Sequence, residues 1–418
     1  MVAQARHSDS NALDANQPQL KQMLISSGEK SSQFASNVIA GINDPGLWKR
    51  GFRKQMTLMD HPAMPEQQDA TVEVEPAPAT RATELKAAAR KLAAHCAAYR
   101  GASISDAVWQ VGTTAAAFIA LVAVMLYTIE FSYPLTLLFC LPAAGLLIRF
   151  FIIQHDCGHG SFLPSRAAND ILGRLVSVLT LTPYGLWRRE HNVHHAASGN
   201  LDRRGIGDIT TLTVSEYAAL PVMGRIKYRI YRHPAFLFGV GLPLYFLVLQ
   251  RLPWFHPHPA RQTWGSIMRL NAGLVAFYAP LMWMFGWANI LMLAIPILIL
   301  SSAIGGWLFF IQHQFEDTHW ESGPDWDFQV AAIHGSSYYV LPPVLQWFTG
   351  NIGLHHIHHL CSMIPNYKLQ ACLDASPELQ AMNRVTLWQS IMCARLALWD
   401  DANRRLIGFR EFRALQMA

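Results

Sequence analysis

The stretch GLLIRFFIIQHDCGHGSF, residues 145–162, joins the end of an apolar run to two histidines spaced as H-x-x-x-H. The run, Tyr133–Ile153, has about the length needed to cross the core of a bilayer. A similar run, Trp109–Ile129, precedes it, and the three residues between the two runs leave room only for a tight hairpin. The pattern therefore predicts an all-α integral membrane protein in which the first histidine motif, His155 and His159, directly follows a transmembrane helix.

A second pair of apolar stretches, Asn271–Trp287 and Ala288–Ile311, has no Lys or Arg between its members. Many arginines lie instead between the first pair and the second. Loops rich in Lys and Arg usually stay in the cytosol, so we expect residues 154–270 to be cytosolic and the hairpin turns to lie outside. The resulting prediction is four transmembrane helices in two hairpins, with a cytosolic helical cap on the side where the first histidine motif lies.

A further apolar stretch, Phe236–Gln250, complicates this count. Arg232 precedes it, and Arg251 and Arg261 follow it. Positive charge at both ends favours a re-entrant or interfacial segment over another crossing.

The composition agrees with a membrane protein. Hydrophobic residues make up 51% of the 418 positions and charged residues only 15%, whereas a soluble protein usually has about 25% charged residues. Lys and Arg exceed Asp and Glu by 33 − 28 = 5, but they form no dense runs, which argues against a nucleic-acid binder. The six cysteines are scattered without a C-x-x-C pair, which argues against a disulfide framework and against a thiolate zinc site.

The chain divides by composition into three parts. Residues 1–83 are polar and rich in Pro, Ser and Gln, without a sustained period, which predicts a disordered N-terminal tail. A helix-forming run, Glu84–Tyr99, follows and suits a helix at the lipid headgroups. We assign residues 84–375 to the membrane domain and residues 376–418 to a C-terminal cytosolic helical segment.

Two further histidine windows accompany the first. His191, His194 and His195 form one H-x-x-H-H motif, and the run HHIHH at 355–359 contains another. Positions i, i+3 and i+4 of a helix share one face, so each window can direct its rings toward one point. Eight convergent imidazoles exceed what one four-coordinate zinc ion uses, and they suit two metal ions with open positions. Imidazole binds iron, zinc and copper alike, so the ligands alone do not identify the metal.

Each window also has a simpler interpretation. A lone histidine at the end of a transmembrane helix is more often an ordinary interfacial residue than a ligand. The combination of one H-x-x-x-H and two H-x-x-H-H motifs, all on the same predicted side of the membrane, makes this interpretation weak for the set as a whole.

At these residues the chain resembles the membrane fatty-acid desaturase family, particularly bacterial acyl-lipid desaturases of the delta-12/omega-6 type. The matching stretches are HDCGHGSF at 155–162, WRREHNVHH at 187–195, FIQHQFEDTHW at 310–320 and GNIGLHHIHHLCSMIPNY at 350–367. The resemblance runs from about residue 108 to 370 and implies a non-haem diiron centre. The implied ligands are His155, His159, His191, His194, His195, His355, His358 and His359.

The resemblance also implies one further ligand before the third window. His313 is favoured because it directly follows the second hairpin, and His319 is the competitor. Side chains beside the ligands are expected to hydrogen-bond the outer ring nitrogens and so fix their tautomers. The candidates for this supporting role are Asp156, Asn192, Asn351 and His356.

The activity implied by the resemblance is the introduction of a double bond into a lipid acyl chain, with O2 as co-substrate and two electrons from an external reductant. The sequence has no G-x-G-x-x-G fingerprint and no H-P-G-G haem motif, so a separate ferredoxin or similar carrier is expected. It would dock on the basic cytosolic face, where Arg188, Arg189, Arg203 and Arg204 lie. For any one of these arginines, contact with lipid headgroups is the more common role. The implied location is a bacterial inner membrane, crossed several times, with the active site facing the cytosol.

Two other functions compete with this one. A membrane hydroxylase or ketolase would share the histidine framework and would differ in its product. A metal transporter would carry ionisable groups within its membrane helices, whereas here the histidines lie at the helix ends. A metalloprotease is disfavoured because the sequence has no H-E-x-x-H motif.

Overall fold

We describe a computed structural model of the chain, in which residues 78–256, 258 and 260–417 are placed. The predicted disordered tail lies mostly outside these residues, so disorder in that region stays a prediction. The first helix, α1 (Pro78–Ala97), begins ahead of the predicted start at Glu84. Proline is well suited to the first turn of a helix because its missing N–H has no helical partner there.

The first hairpin is built as the sequence predicts. Helix α2 (Ile104–Ile129) is followed by α3 (Tyr133–Leu138) and α4 (Cys140–His159), which together form the second apolar rod. Ser132 caps the rod by accepting a hydrogen bond from the backbone N–H of Leu135. Gly160 ends it with φ of 76°, a left-handed conformation that suits glycine. The H-x-x-x-H motif therefore occupies the last turns of α4.

The second hairpin consists of α11 (Ala260–Phe285) and α12 (Trp287–His313), joined at Gly286. Helix α11 begins about three turns before the predicted apolar stretch, and these added turns include Arg261 and Arg269. Much of the outer surface of both hairpins is apolar and exposed; Trp283, for example, is 87% exposed. Large exposed apolar surfaces of this kind are typical of helices that face lipid.

A fifth segment, Pro234–Arg251, is also long and apolar enough to cross a membrane, so the predicted count of four spans is not confirmed. The segment is broken into α9 (Pro234–Phe236), a π-helical turn (Leu237–Gly241), α10 (Leu242–Leu247) and a 3-10 turn (Leu249–Arg251). Pro243 lacks a backbone N–H, which accounts for part of this irregularity. The re-entrant or interfacial placement of the segment stays a prediction.

The remaining helices lie between and after the two hairpins. Between the hairpins are α5 (Arg166–Thr180), α6 (Tyr184–Ala197), α7 (Val214–Ala219) and α8 (Val222–Arg232). After the second hairpin are α13 (Phe328–His334), α14 (Pro343–Phe348), α15 (His355–Leu360), α16 (Asn366–Asp374), α17 (Pro377–Ala381), α18 (Leu387–Cys393) and α19 (Phe409–Leu415). Two further 3-10 turns are Pro253–Phe255 and Gly323–Asp325.

Within residues 78–417, as far as they are described, five short strands form two small sheets. Strands β1 (Leu212–Thr213), β4 (Leu396–Asp400) and β5 (Arg405–Gly408) form one sheet, in which β1 and β4 are parallel and β4 and β5 antiparallel. Strands β2 (Tyr338–Val340) and β3 (Arg384–Thr386) pair in parallel.

The C-terminal segment, residues 376–418, differs from its predicted helical form because it contains β3, β4 and β5. Each parallel pairing joins it to a strand much earlier in the chain, as when Leu398 pairs with Leu212. Such pairings depend on residues far apart in sequence, so the periodicity of the segment alone does not reveal them.

The third histidine window is held in place by an apolar cluster on the far side of α15. Leu354 and Ile357 pack there with Leu92 and Cys96 of α1 and with Ile333 of α13. All five side chains are almost completely buried. Helix α1, which precedes the first hairpin in sequence, thus stabilises the short helix that carries three predicted ligands.

Two adjacent glycines of α12 allow a matched test of how the irregular segment packs. A Cβ added at Gly306 would lie 2.3 Å from Leu242 Cδ1, whereas a Cβ at Gly305 would meet no atom within 4 Å. We predict that Gly306→Ala lowers the free energy of unfolding by about 1–3 kcal/mol through overpacking. Gly305→Ala should be neutral or slightly stabilising because Ala favours the helix. Thermal unfolding of the two purified variants measures the difference, and equal midpoints would contradict this account of the packing.

Candidate metal centre

Four helices bring the histidines together at their ends. Helix α4 presents His155 and His159, α6 presents its H-x-x-H-H window, and α12 ends on His313. Helix α15 presents His355, His358 and His359. All nine predicted ligands lie in two groups, each able to hold a metal ion.

The first group consists of five imidazoles, His155, His159, His191, His195 and His358, with one nitrogen of each within 4.8 Å of the others. The Nε2 atom of His191 lies 2.9 Å from that of His155 and 3.1 Å from that of His159. His195 Nε2 lies 3.1 Å from both His191 Nε2 and His358 Nε2. Each of the three windows therefore contributes to this group.

The second group consists of four buried imidazoles, His194, His313, His355 and His359. His313 is at its centre, because its Nε2 atom lies 3.1 Å from Nε2 of both His194 and His355. The competing histidine of this region, His319, is placed elsewhere: its ring lies 6.4 Å from that of His334.

Helix geometry explains how each H-x-x-H-H motif serves both groups. Around the helix axis, residue i+4 lies about 40° from residue i, and residue i+3 lies about 60° from residue i in the opposite direction. His191 and His195 accordingly belong to the first group, and His194 belongs to the second. In α15 the same spacing occurs with the two groups exchanged: His355 and His359 belong to the second group, and His358 belongs to the first.

The two groups are in direct contact. The rings of His195 and His359, one from each group, stack with centroids 4.0 Å apart and planes 11° from parallel. Each group could hold a metal ion, and this contact puts the two candidate positions next to each other.

The nitrogen spacing suits metal coordination. Imidazole nitrogens bind a metal at about 2.0–2.1 Å, so two nitrogens about 3.0 Å apart subtend about 90° at a shared ion. The observed separations of 2.9–3.1 Å between neighbouring Nε2 atoms are therefore short enough for adjacent rings to share one ion.

Three of the rings have their outer nitrogen fixed by a hydrogen bond. His155 Nδ1 donates to Asp156 at 3.0 Å, and His194 Nδ1 donates to Asp208. His313 Nδ1 donates to the carbonyl of Gly335 at 3.2 Å. A neutral imidazole has a single N–H, so each of these rings turns a lone pair on Nε2 toward its group. Lone pairs that face one another repel unless a cation lies between them.

The burial and the protonation state of the rings also favour metal binding. His359 is 2% exposed, and neither of its ring nitrogens has a hydrogen-bond partner among the described residues. A buried polar atom without a partner costs about 1–3 kcal/mol. Burial also lowers the pKa of His191, His195, His358 and His359 well below the usual value for histidine, and the neighbouring imidazoles lower it further. These rings are therefore neutral, which is the form that binds a metal.

The four predicted supporting residues have different contacts. Asp156 contacts the predicted ligand His155, and Asn366 holds the Asp156 carboxylate with its backbone N–H at 2.6 Å and its side-chain amide at 2.8 Å. Asn351 donates instead to the backbone carbonyl of Asn366. His356 points away from the ligands and bonds the carbonyl of Leu379 through Nε2. Asn192 is exposed on α6.

The sequence does not predict that Asp208 and the Gly335 carbonyl bond histidine rings, or that Asn366 holds the Asp156 carboxylate. Asp208 follows Gly207, whose φ is 72°, and a Cβ at Gly207 would lie 3.1 Å from His194 Cβ. The glycine therefore permits the close approach of this turn to α6. The sequence GIGD at 205–208 marks a turn, but nothing in it indicates which histidine the turn approaches.

Two aromatic side chains border the imidazoles. Trp187 stacks on His191 with centroids 4.7 Å apart and planes 13° from parallel. Phe309 lies 5.3 Å from the ring of His194 and 5.6 Å from that of His313. The rings of Trp187 and Phe309 thus form an apolar border beside the two groups of imidazoles.

Comparison with known proteins places this site in a family. The model of the fatty acid desaturase family matches residues 131–390. A fatty acid desaturase of Bacillus subtilis (strain 168) is 40% identical over 331 residues, which cover 79% of this chain and 93% of that protein.

More distant relatives carry more detailed names. An sn-1 acyl-lipid omega-3 desaturase (ferredoxin) of Synechocystis sp. is 29% identical over 251 residues, 59% of this chain and 67% of that protein. An sn-1 oleoyl-lipid 12-desaturase of the same organism is 24% identical over 254 residues, 56% of this chain and 67% of that protein. These matches confirm the resemblance predicted from the histidine windows.

The family match, the five apolar helices and the clustered histidines agree with one another. Together they indicate a membrane protein and an oxidoreductase that acts on fatty acids. The chain belongs to the fatty acid desaturase family.

Proposed function

We propose that the protein uses O2 and two electrons to introduce a double bond into the acyl chain of a membrane lipid, at a diiron centre held by nine histidines. The observation that carries this proposal is the convergence of nine imidazoles into two adjoining groups. The overall reaction balances when an acyl –CH2–CH2– unit, O2, two electrons and two protons give –CH=CH– and two molecules of water.

Iron suits both the ligands and the reaction. Zinc has no redox chemistry, whereas desaturation oxidises an unactivated carbon chain, a step beyond side-chain acid–base chemistry. Imidazole is a good ligand for iron, and the two groups provide nine nitrogens for two ions. When bound, the two irons supply the activation of O2.

The side chains around the ligands hold this donor set in one form. The carboxylates of Asp156 and Asp208 and the Gly335 carbonyl each fix a ring so that its Nε2 lone pair points inward. Most of the ligand rings are buried, which keeps bulk water from the reacting carbons. Trp187 and Phe309 offer an apolar edge against which an acyl chain can lie.

The substrate and the electron donor are proposed from chemistry together with the relatives' names. Two relatives are named for acyl lipids, and one of them for ferredoxin. We extend both features to this chain: a lipid-linked acyl chain as substrate and an external ferredoxin-like carrier as reductant. The arginines between the hairpins support a cytosolic position for the site by the positive-inside rule, and a bacterial inner membrane is the location proposed.

The ligand set can be tested by metal content. We predict that His194→Ala abolishes desaturation and lowers bound iron from about two ions per chain to about one or fewer, since a ring of the second group is lost. His319→Ala is the control, because its ring lies beside His334 and outside both groups. Iron analysis of the two purified proteins decides the matter. Full iron and turnover in His194→Ala, or loss of iron in His319→Ala alone, would overturn the assignment.

The supporting carboxylate Asp208 provides a second test. Asp208→Asn keeps the shape of the side chain but weakens its hold on His194 Nδ1, and we expect a loss of about 10–100-fold in iron affinity. Asp317→Asn makes the same chemical change at an exposed position and should leave affinity unchanged. Competition with an iron chelator gives the affinities. An identical chelation curve for both variants would remove Asp208 from the site.

The reaction itself is tested by its product. Expression in a bacterial host that lacks polyunsaturated lipids, followed by mass spectrometry of the extracted lipids, should reveal acyl chains lighter by two hydrogens. A hydroxylase with the same histidine framework would instead give chains heavier by one oxygen. Cells that express His194→Ala provide the background. A hydroxylated product absent from that background would reject the proposed desaturase activity and show that the protein is a hydroxylase.

A further inference from the structure

Three arginines line one open cavity of about 450 Å³ between α6 and α11, together with Gln262 and Gly265. Arg189 comes from α6, and Arg261 and Arg269 come from α11. None of the five lining residues is acidic. The volume falls in the range of small-molecule sites, and three guanidinium groups without a lining carboxylate form a site for an anion.

Arg189, which lines this cavity, has donors without a partner. Its Nε and Nη2 atoms are buried and have no hydrogen-bond partner among the described residues. Its neighbour Arg188, in contrast, donates to Asp170 at 2.5 Å. No described carboxylate therefore engages these donors, and an anion in the cavity would offset the charge of the guanidinium group.

The positive charges around Arg189 agree with this geometry. Arg188 is its neighbour in the chain, and Arg269 lines the same cavity. Like charges held this close repel, and a bound anion would relieve the repulsion.

The two arginines of α11 are arranged around a gap. Arg261, Gly265 and Arg269 are spaced at i, i+4 and i+8, so they follow one line along the helix over about 12 Å. A Cβ added at Gly265 would meet only Arg269 Nη1, at 3.6 Å. The missing side chain thus leaves room for a ligand atom between the two guanidinium groups.

The contact between α6 and α11 fixes the cavity. The Ser266 hydroxyl accepts a hydrogen bond from the backbone N–H of Leu186 at 3.0 Å. Gly185 allows this approach, since a Cβ there would lie 3.3 Å from Ser266 Oγ. Arg189 lies one helical turn beyond Gly185, which holds it opposite the α11 arginines.

The cavity lies at the boundary between polar and apolar surface of α11. Trp264 and Met268, 43% and 46% exposed, neighbour the arginines, and the apolar part of α11 follows Arg269. Exposed Trp together with Arg before an apolar helix is typical of the headgroup level of a membrane. Arg189 is two residues from His191, so their side chains leave α6 about 200° apart, with the metal groups on one face of α6 and the cavity on another.

We propose that Arg189, Arg261 and Arg269 bind the phosphate of a glycerophospholipid headgroup and so position the lipid whose acyl chain is desaturated. The assignment of this lipid as the substrate rests on the proposed function. The binding of a phosphate-bearing lipid does not depend on it.

Binding is tested without turnover. The full-length, iron-loaded protein in a neutral detergent is titrated with dihexanoyl-phosphatidylglycerol and, separately, with dihexanoylglycerol, which lacks the phosphate. We expect Arg261→Gln and Arg269→Gln each to weaken phosphatidylglycerol binding about fivefold, because exposed charge-assisted hydrogen bonds are partly screened. Binding should also weaken as ionic strength rises, and dihexanoylglycerol should bind equally to all variants.

Arg174→Gln is the matched control. Arg174 is an exposed arginine of α5 whose partner, Asp170, also pairs with Arg166 and Arg188. Unchanged phosphatidylglycerol affinity in both cavity variants, or an equal loss in Arg174→Gln, would overturn the proposal. Inorganic phosphate that binds as tightly as the lipid would make this a free-phosphate site and would reject the headgroup assignment.

Kinetics separate this proposal from the function on which part of it rests. With phosphatidylglycerol-linked acyl chains in vesicles, the cavity variants should raise KM while kcat and iron content stay unchanged. Normal lipid affinity with slower reduction by an acidic ferredoxin would reassign the cavity to the electron donor. Intact phosphate-dependent lipid binding with no desaturation in the unmodified protein would reject the proposed function and leave the headgroup site standing.

Discussion

The structure depends on one electrostatic constraint: nine imidazoles, most of them buried, face one another in two adjoining groups. Rings whose outer nitrogens already donate, such as His155, His194 and His313, can offer only lone pairs to the centre of their group. Such an arrangement is unfavourable without cations and strongly favourable with them. The surrounding fold can be understood as the means of holding four helix ends in this position.

The sequence predicts the parts of the fold that follow local patterns. The two hairpins and the assignment of His155, His194 and His355 to one shared region follow from apolar run length and from helical spacing. The hydrogen-bond partners of the outer ring nitrogens do not follow from run length or helical spacing. Asp208 and Gly335 reach their rings through turns, and a turn has no period that tells which helix it approaches.

Long-range pairing limits the prediction in the same way elsewhere. The strands of the C-terminal segment form because β4 lies between β1 and β5, and β1 is remote in sequence. The segment Pro234–Arg251 has the composition of a membrane helix, yet its π-helical and 3-10 turns interrupt the regular α-helix. Composition reports how apolar a segment is, and the backbone hydrogen bonds decide whether it is a continuous helix.

A buried arginine in the first hairpin links the packing of the helices to the position of the histidines. Arg149 of α4 is 8% exposed, donates to Thr114 of α2 at 3.1 Å and also donates to the Trp347 carbonyl. Its guanidinium lies 4.2 Å above the Trp347 ring. A charge in this position is costly unless it is fully bonded, so Arg149 fixes α14 against the hairpin. Helix α14 ends shortly before α15, and the contact therefore restrains the third histidine window relative to the first, which α4 itself carries. Two windows about 200 residues apart thus come to share one metal group through an interaction that contains no histidine.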